Sequence, residues 1–589
     1  MKQSPLRTMT VRAFLATLLA TLLLACGGGG SVPYTGVGIR ALSPEFTARK
    51  AISYSPYRTS ECERPDQCAK SLSTEIITKV NIKQDLDLLM AAGFRLIRLY
   101  DPYDNVARQT LEVIRDNNLN LKVYLGVTDI FPGADAANRA LLARLVTLAN
   151  EFKSIVLVVS VGNENMVSWS FKKMAPAVMA DYIKTVRDQI TQPVTTDDNY
   201  KFWASAPTVI TDVIDFAALH TYDELDTYFD PKRWDWKFKD VPAAQRAVAM
   251  MDGAIAETKR QYVEGRSFLD SKGLSYIPMV IGETGWNAVD LGRLNFRAHP
   301  VNHKMYLDRL AAWADEGKTG AGPKAIVYFE AFDEKWKQSD DGWGLFNKDR
   351  QARYAIQAIN TDNSPAGSAT WVWETVIAAN DANGDGQYTL ADATYFQPPV
   401  VNAPITASTF MLYTDNAPGA SEVRPANLFW DAFDGTTAVA PEVNTASAPG
   451  DSPHSIEITP HPAGFGWGFL RQSHTGVTDN LSNFAATGSL NVWISTTYPG
   501  KIEIGIGTDT QDRVGQEAYL QIQPGNYGYC NTGAWCKVSI PLKDFLTKNP
   551  QLDLSLVTLR FVISDVYSRT GNAPGSTAKL YIDRIYWAK

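Results

Sequence analysis

Two glutamates stand where a carboxylate could do acid–base or nucleophilic chemistry. An apolar run ending at Val161 leads into Gly162-Asn163-Glu164, and a second run ending at Ile281 leads into Gly282-Glu283. Two carboxyl groups about 5–5.5 Å apart can cleave a glycosidic bond with retention, one as acid/base and one as nucleophile. The alternative is structural, with both glutamates capping helices or pairing with Arg98. The matching strand ends favour the catalytic pair.

The elements that must position this pair alternate between short apolar runs and helix-period segments. Eight such runs with intervening helices over roughly 310 residues predict a (β/α)8 barrel, whose strand ends open into one mouth. A doubly wound sheet is the alternative, but no Gly-x-Gly-x-x-Gly follows the first run. The predicted strands are Ala51–Tyr54, Phe94–Tyr100, Leu121–Gly126, Ile155–Val161, Pro193–Thr196, Phe216–His220, Ile277–Ile281 and Ala325–Phe329, and the clearest helices are Asn81–Ala92, Asn138–Phe152 and Val301–Gly317.

These strand ends carry motifs that resemble glycoside hydrolase family 17, the retaining β-1,3-glucan enzymes. The matching segments are Tyr54-Ser-Pro-Tyr57, Leu96-Ile-Arg98-Leu-Tyr100, Val161-Gly-Asn-Glu164, Ile281-Gly-Glu283-Thr-Gly-Trp286, Tyr328-Phe-Glu-Ala-Phe-Asp333-Glu334 and Trp336-Lys337. The resemblance covers about residues 50–360 and implies Glu164 as proton donor and Glu283 as nucleophile. It is nearer the bacterial and fungal branch than the plant branch. The long stretch Thr221–Ala243 and the Cys62/Cys68 loop depart from the family pattern.

Further residues near the strand ends are predicted to bind the sugar or assist the pair. Asn163 is placed to hydrogen-bond the sugar 2-OH, a contact that strengthens in the transition state. Glu334 and Lys337 would assist the acid electrostatically, whereas the tyrosines and the histidine could instead only pack. The predicted substrate-binding set is Tyr54, Arg98, Tyr100, Asn163, His220, Tyr222, Trp286, Glu330, Phe332, Glu334 and Lys337. No cofactor is expected for catalysis.

A polar segment after the barrel contains a loop with the spacing of calcium ligands. Oxygen donors at loop positions 1, 3, 5, 7 and 12 around a central glycine are typical of an EF-hand loop. The loop ends in Asp where an EF-hand has Glu, and in this it resembles dockerin-type loops. Dockerins have two copies of the loop, whereas only one is visible in this sequence. The predicted ligands are Asp381, Asn383, Asp385, Gln387 (by its carbonyl) and Asp392, and the alternative is a solvated turn.

From about residue 405 helical periodicity nearly vanishes. Short β-rich runs between Gly, Pro and Asn turns predict an all-β sandwich of jelly-roll type. Trp535-Cys-Lys-Val-Ser-Ile-Pro541 and Tyr581-Ile-Asp583-Arg-Ile-Tyr-Trp587 resemble carbohydrate-binding modules. The candidate sugar-stacking aromatics are Trp467, Trp493, Tyr527, Tyr529 and Trp535, although such residues are as often core.

The N-terminal residues predict export. Basic residues precede an apolar run from Ala13 to Ala25, which is too short to span a membrane. The run ends in Leu23-Leu24-Ala25-Cys26, which resembles a bacterial lipobox with Cys26 lipidated; ordinary secretion is the alternative. Gly28 favours the outer membrane, and Gly27–Gly30 resemble a flexible tether. In an exported chain the remaining cysteines predict two disulfides, Cys62–Cys68 and Cys530–Cys536.

Composition agrees with a multidomain, secreted, sugar-handling protein. The 589 residues are 45% hydrophobic and 11% aromatic, and the net charge of −7 gives no argument for nucleic acid. No hydrolase serine motif, metalloprotease motif or P-loop is present. The predicted organisation is a signal peptide (1–26), a tether (27–36), a catalytic barrel (37–360), a linker (361–402) and a sandwich (403–589). The predicted function is endo-acting cleavage of β-1,3-glucan; the alternatives are a β-1,3-glucanosyltransferase and a non-catalytic glucan-binding lipoprotein.

Overall fold

The computed structural model describes most of the barrel, the following segment and most of the sandwich. The predicted anchor Cys26 and the predicted Cys62–Cys68 disulfide lie outside the described residues. Among the described residues, no helix is both long and apolar enough to cross a membrane. The described residues are 38–61, 72–229, 233–290, 296–320, 322–358, 371–426, 428–431, 438–440, 447–451, 454–459, 468–472, 477–508, 516–565 and 578–589.

Eight parallel strands close into a barrel in which each strand pairs with its sequence neighbours and β8 pairs with β1. The predicted (β/α)8 fold is therefore confirmed, with strand bounds within a few residues of those expected. The strands are β1 Ala51–Ser53, β2 Leu96–Leu99, β3 Lys122–Leu125, β4 Val156–Asn163, β5 Val194–Asn199, β6 Ala217–Thr221, β7 Met279–Thr284 and β8 Ile326–Tyr328.

The longer helices cover the outside of the barrel and bury an apolar face against it. In α2, for example, Ile82, Leu86 and Leu89 are fully buried, the Thr78 side chain caps the start, and Gly93 at φ +97° follows the end. The stretch 221–243, predicted as a long loop, contains α8. The helices are α1 Pro44–Thr47, α2 Lys79–Ala91, α3 Gln109–Asp116, α4 Asp135–Glu151, α5 Pro176–Arg187, α6 Tyr200–Trp203, α7 Thr208–Thr211, α8 Asp223–Phe229, α9 Ala243–Ser271 and α10 Pro300–Thr319.

The interior of the barrel is packed rather than hollow. Inward side chains from the strands form one apolar cluster, and Phe46 of α1 joins it. The Phe46 ring lies 6.1 Å from that of Tyr124 and 6.3 Å from that of Phe216. The N-terminal segment therefore helps to fill the barrel beneath the strand ends that carry the predicted site.

The segment after the barrel packs against it. Phe396 is buried in the barrel's core cluster, its ring meets Trp236 edge-on at 5.7 Å, and the side chain of Asn302 donates to the backbone oxygen of Thr394 at 3.0 Å. Trp371 and Trp373 also pack on that cluster. Residues 371–396, predicted as a connector, thus share the core of the barrel.

The C-terminal region is an all-β fold of two sheets, as predicted. One sheet has the order β10-β9-β20-β13-β12, with β15 and β18 joined through β20, and the other has the order β11-β14-β19-β16-β17. The predicted Cys530–Cys536 disulfide is present. The elements are β9 Thr409–Tyr413, β10 Glu422–Val423, β11 Leu428–Asp431, β12 Ala438–Ala440, β13 Ile456–Thr459, β14 Gly468–Gln472, β15 Ser489–Thr496, β16 Ile502–Thr508, β17 Glu517–Ile522, β18 Trp535–Pro541, α11 Leu542–Lys548, β19 Val557–Ser564 and β20 Leu580–Ala588.

Candidate active site

Glu164 projects from the end of β4 in a backbone conformation that non-glycine residues rarely adopt. Its φ is +51°, and its backbone N–H donates to the backbone oxygen of Asp197 at 2.9 Å. The side chain of the buried Asn165 accepts the N–H of Asn163 at 2.8 Å. Neighbouring strands therefore fix the direction of Glu164, whose side chain remains about one-third exposed.

Glu283 lies at the end of β7 and is almost entirely buried. Its Oε1 accepts from Arg98 Nη1 at 2.8 Å, and its Oε2 accepts from the hydroxyl of Tyr222 at 2.7 Å. Burial by itself would raise the pKa of Glu283, but the positive charges of His220 and Arg98 and the Tyr222 hydroxyl together lower it below its ordinary value. These contacts keep Glu283 ionised and fix its orientation.

His220 lies between the two glutamates. Its Nδ1 is 3.1 Å from Glu164 Oε1 and 3.6 Å from Glu283 Oε2. Those two oxygens are therefore less than about 7 Å apart, which excludes most of the ~6.5–9.5 Å separation of an inverting pair and includes the ~5–5.5 Å of a retaining pair. The predicted convergence of Glu164 and Glu283 is present in the structure.

Arg98 and Asp197 lie beneath this pair, out of contact with water. Arg98 Nη2 is 3.2 Å from Asp197 Oδ2 and donates to Asn163 Oδ1 at 2.7 Å. Burial alone would lower the pKa of His220, but Glu283, Asp197 and Glu164 raise it to about 10, so the imidazole is protonated at neutral pH. Two buried cations thus balance the buried carboxylates of Asp197 and Glu283.

Arg98 and His220 were predicted to bind substrate, and the structure assigns them another place. Both side chains are fully buried; Arg98 contacts Glu283, and His220 contacts both glutamates. They position and charge-balance the pair. Asn163, Tyr100 and Tyr222 are half-buried at the same strand ends and remain available to a ligand. The hydroxyl of Tyr100 donates to Ser53 Oγ at 2.8 Å.

Three predicted substrate-binding residues lie in the packed core and do not line the site. Trp286 is fully buried, and its indole N–H donates to the backbone oxygen of Arg297 at 2.9 Å. Tyr54 points outward from β1, where its hydroxyl donates to Asp85 at 3.2 Å. Phe332 packs against Tyr54 with ring centroids 6.1 Å apart. These predictions are wrong for this structure because each side chain leaves its strand end on the outer side.

Lys337 joins the two remaining predicted carboxylates. Its ammonium forms ion pairs with both Glu330 and Glu334, and all three side chains are nearly buried. Burial raises the pKa of Glu330 well above its ordinary value although Lys337 opposes the shift, whereas for Glu334 the effect of Lys337 outweighs burial and the pKa is lowered. The Lys337 ammonium also lies 4.6 Å from the ring centroid of Phe329. None of these contacts involves Glu164 or Glu283, but the Phe329 ring meets that of Tyr222 edge-on at 5.9 Å, which places the triad next to the site.

Several residues of the site were missed by the sequence analysis. Asp197 and Asp198 are adjacent buried carboxylates at the end of β5, and two acids in a buried strand are a signal that could have identified them. Burial and the charge of Glu164 raise the pKa of Asp198 to about 8. Trp343 meets the ring of Tyr222 edge-on at 5.4 Å and had no local sequence signal.

The sandwich aromatics divide into core and surface. Tyr529 is buried in the core, so it is not a stacking residue. Trp493 of β15 and Trp535 of β18 are half-buried, and Trp493 pairs across the sheet with Lys537. Val492 and Ile494, which flank Trp493 in β15, face the core, so the Trp493 side chain faces outward. Tyr527 is half-buried, and Trp467 lies outside the described residues.

The predicted calcium loop forms a tight turn. The Asp381 carboxylate accepts the N–H groups of Gly384 and Gly386, each at 2.8 Å, and Asp385 accepts that of Gln387 at 2.8 Å. Gly386 has φ +77°, as a sharp turn at this position requires. In the part of the chain that the structure describes, no group of three or more His, Cys, Asp or Glu is arranged to hold a metal ion. Calcium binding therefore stays a prediction.

Comparisons with known proteins agree with this division of the chain. Residues 51–345, half of the chain, match the BtgE/BtgC glycoside hydrolase domain, and residues 426–589 match carbohydrate binding domain 30. No curated protein matches the chain.

Solved structures of similar proteins share only part of the chain. An endo-laminarinase from Formosa Hel1_33_131 is 22% identical over 56% of this chain and 91% of its own, with a TM-score of 0.47. A glycoside hydrolase family 17 β-1,3-glucanosyltransferase from Rhizomucor miehei is 19% identical over 53% and 97%, with a TM-score of 0.39. CJP38, a β-1,3-glucanase and allergen of Cryptomeria japonica pollen, is 16% identical over 52% and 97%, with a TM-score of 0.36.

Proposed function

We propose that this chain, which belongs to the BtgE/BtgC glycoside hydrolase family, cleaves internal β-1,3 bonds of a glucan with retention. One observation carries the mechanism: His220 lies within 3.1 Å of Glu164 and 3.6 Å of Glu283, so two carboxylates share one site in unlike surroundings. The substrate class rests on the resemblance of the strand-end motifs to glycoside hydrolase family 17.

The surroundings of each glutamate support its assigned role. Glu283 accepts hydrogen bonds from Arg98 and Tyr222 and is held ionised, as a nucleophile must be. Glu164 is the more exposed of the two, and its Oε1 already contacts His220. We therefore assign the transferred proton to Oε2 of Glu164.

The reaction then takes two steps. In the first, Glu283 attacks the anomeric carbon while Glu164 gives its proton to the leaving sugar oxygen, forming a glycosyl-enzyme ester. In the second, Glu164 removes a proton from water, the water oxygen attacks the same carbon, and Glu283 leaves. Asn163 accepts from Arg98 through its side-chain oxygen, and since its amide N–H2 has no hydrogen-bond partner among the described residues, it can donate to the sugar 2-OH.

A time course of product lengths from a linear β-1,3-linked hexasaccharide tests this function. Products that are only shorter than the substrate, with internal cleavage first, are the expected result. Early products longer than the substrate would make the enzyme a β-1,3-glucanosyltransferase. Inertness toward this and other β-glucans would contradict the enzymatic function and leave a glucan-binding role.

The flanking regions suggest where this chemistry takes place. We propose that the sandwich binds the same polysaccharide through the outward-facing Trp493, since its residues match a carbohydrate-binding family. We also propose that Cys26 is lipidated and anchors the chain to the outer membrane, on the strength of the lipobox-like Leu23-Leu24-Ala25-Cys26 alone.

A further inference from the structure

Three large aromatic side chains are exposed on loops at the mouth of the barrel. Trp169 is 62% exposed and Phe171 is 82% exposed on the loop after β4, and Phe131 is 39% exposed after β3. These residues are called here the aromatic platform. Soluble domains usually bury large aromatic side chains, and a group of them exposed together is typical of a binding surface.

The platform is physically continuous with the catalytic pair. Its main loop begins directly after Glu164, and the buried Asn165 side chain donates to the backbone oxygens of Lys172 at 2.9 Å and Ile130 at 3.3 Å. The same side chain accepts the N–H of Asn163. One amide therefore fixes the acid segment, the β4 loop and the β3 loop relative to one another.

Lys172 orders two of the rings. Its ammonium lies 4.8 Å from the centroid of the Phe131 ring and 5.7 Å from that of Phe171. It also donates to the backbone oxygen of Thr128 at 3.0 Å and to Asp129 Oδ1 at 3.3 Å. The two rings lie 6.5 Å apart at 43° to each other. The aromatic faces are thus held in place by a cation that is itself anchored.

The platform is bordered by polar groups that suit sugar hydroxyls. Asp129 accepts from the Tyr103 hydroxyl at 2.9 Å and is 41% exposed, so part of its carboxylate remains open to a ligand. Aromatic faces beside a carboxylate and an ammonium can take both the apolar face and the hydroxyl edge of a hexose.

We propose that the aromatic platform is a distal subsite for the glucan chain, occupied by sugar units beyond those at the catalytic pair. This inference rests on the proposed function. It predicts that long oligosaccharides gain affinity from the platform and that short ones, which end before it, do not. The platform would therefore set the preference for chain length.

The test compares kcat and KM for β-1,3-linked hexasaccharide and trisaccharide in wild type, Trp169→Ala/Phe171→Ala and Phe171→Tyr. We expect the double variant to raise KM for the hexasaccharide about tenfold, with trisaccharide kinetics unchanged, and Phe171→Tyr to retain wild-type kinetics. Tyr276→Ala is the control, since Tyr276 is 45% exposed and precedes β7, at the opposite end of the barrel. Thermal melting checks that each variant folds.

Unchanged hexasaccharide KM in the double variant overturns the subsite while leaving the proposed function intact. Equal losses on both substrates also overturn it, because they indicate damage to the catalytic pair. If wild type cleaves neither substrate, the proposed function fails and the subsite fails with it.

Discussion

Arg98 Nη1 lies 2.8 Å from Glu283 Oε1 in a region closed to water. The same guanidinium lies 3.2 Å from Asp197, and the protonated His220 is the second cation of the group. Two positive and two negative charges therefore balance among these four buried side chains. Removing one leaves a buried charge without compensation, which is costly in a low dielectric.

Replacing Asp197 by Asn is expected to destabilise the protein. The substitution keeps the shape but removes one charge from a buried pair, which costs about 3–5 kcal/mol of unfolding free energy. Urea unfolding of the variant and of wild type measures this loss of unfolding free energy. Asp181→Asn, which breaks a solvent-exposed pair with Arg139, is the control and is expected to have a much smaller effect. Equal midpoints for the two variants would contradict the charge balance.

His220 makes stability depend on pH on the alkaline side. Its folded pKa of about 10 exceeds that of a free imidazole, so its contribution is complete below about pH 6.5 and is lost as pH rises toward 10. We expect wild-type unfolding free energy to fall across that window and His220→Gln to flatten the fall. His454→Gln, in the sandwich, is the control. An identical pH slope in His220→Gln and wild type would show that the imidazole is not charged in the fold.

Tyr222→Phe removes a hydrogen bond that stabilises the Glu283 carboxylate. The pKa of Glu283 should then rise, so the acid limb of kcat/KM should move to higher pH, and activity at neutral pH should fall about tenfold. Tyr100→Phe is the matched control because its hydroxyl donates to Ser53 and not to Glu283. A stationary acid limb in Tyr222→Phe would argue against Glu283 as the group that must be ionised.

Glu164→Ala should lose its general acid but retain the nucleophile. Cleavage of natural glucan is expected to fall by at least about 10²-fold, whereas a substrate with an activated leaving group should still form the glycosyl-enzyme. Added azide should then speed turnover and yield a β-glycosyl azide, since azide replaces the water of the second step. An α-azide would assign Glu164 as the nucleophile instead.

The loop at residues 381–392 is predicted to bind Ca²⁺. Because residues 371–396 share the core of the barrel, binding should raise the melting temperature of the barrel, and a chelator should lower it. Asp381→Asn/Asp385→Asn should remove the response. Calorimetric titration that detects no Ca²⁺ binding to wild type would leave only a solvated turn.

The strand positions and the convergence of Glu164 and Glu283 could be predicted from sequence because both depend on local pattern. Apolar runs ending in Gly and a carboxylate mark Glu164 and Glu283, and strand order in a barrel brings β4 and β7 to one mouth. The outward direction of Trp493 likewise follows from strand alternation, since Val492 and Ile494 face the core.

The direction of a side chain just past a strand end could not be predicted. Ser53 faces the site, where it accepts from Tyr100, and the next residue, Tyr54, therefore points outward to Asp85. Because successive side chains point to opposite faces of a strand, a shift of one residue in the strand changes whether a side chain faces the site or the outside of the barrel. Asp197 was missed for a related reason, since its partners Arg98 and Tyr124 come from strands distant in sequence.

The most direct test of the account is the anomeric configuration of the first product, followed by ¹H NMR during cleavage of a β-1,3-linked hexasaccharide. Two carboxylates less than about 7 Å apart, with Glu283 ionised, predict that the new reducing end forms as the β-anomer and then mutarotates. Initial formation of the α-anomer would mean a single inverting displacement and would contradict the assignment of Glu283 as nucleophile.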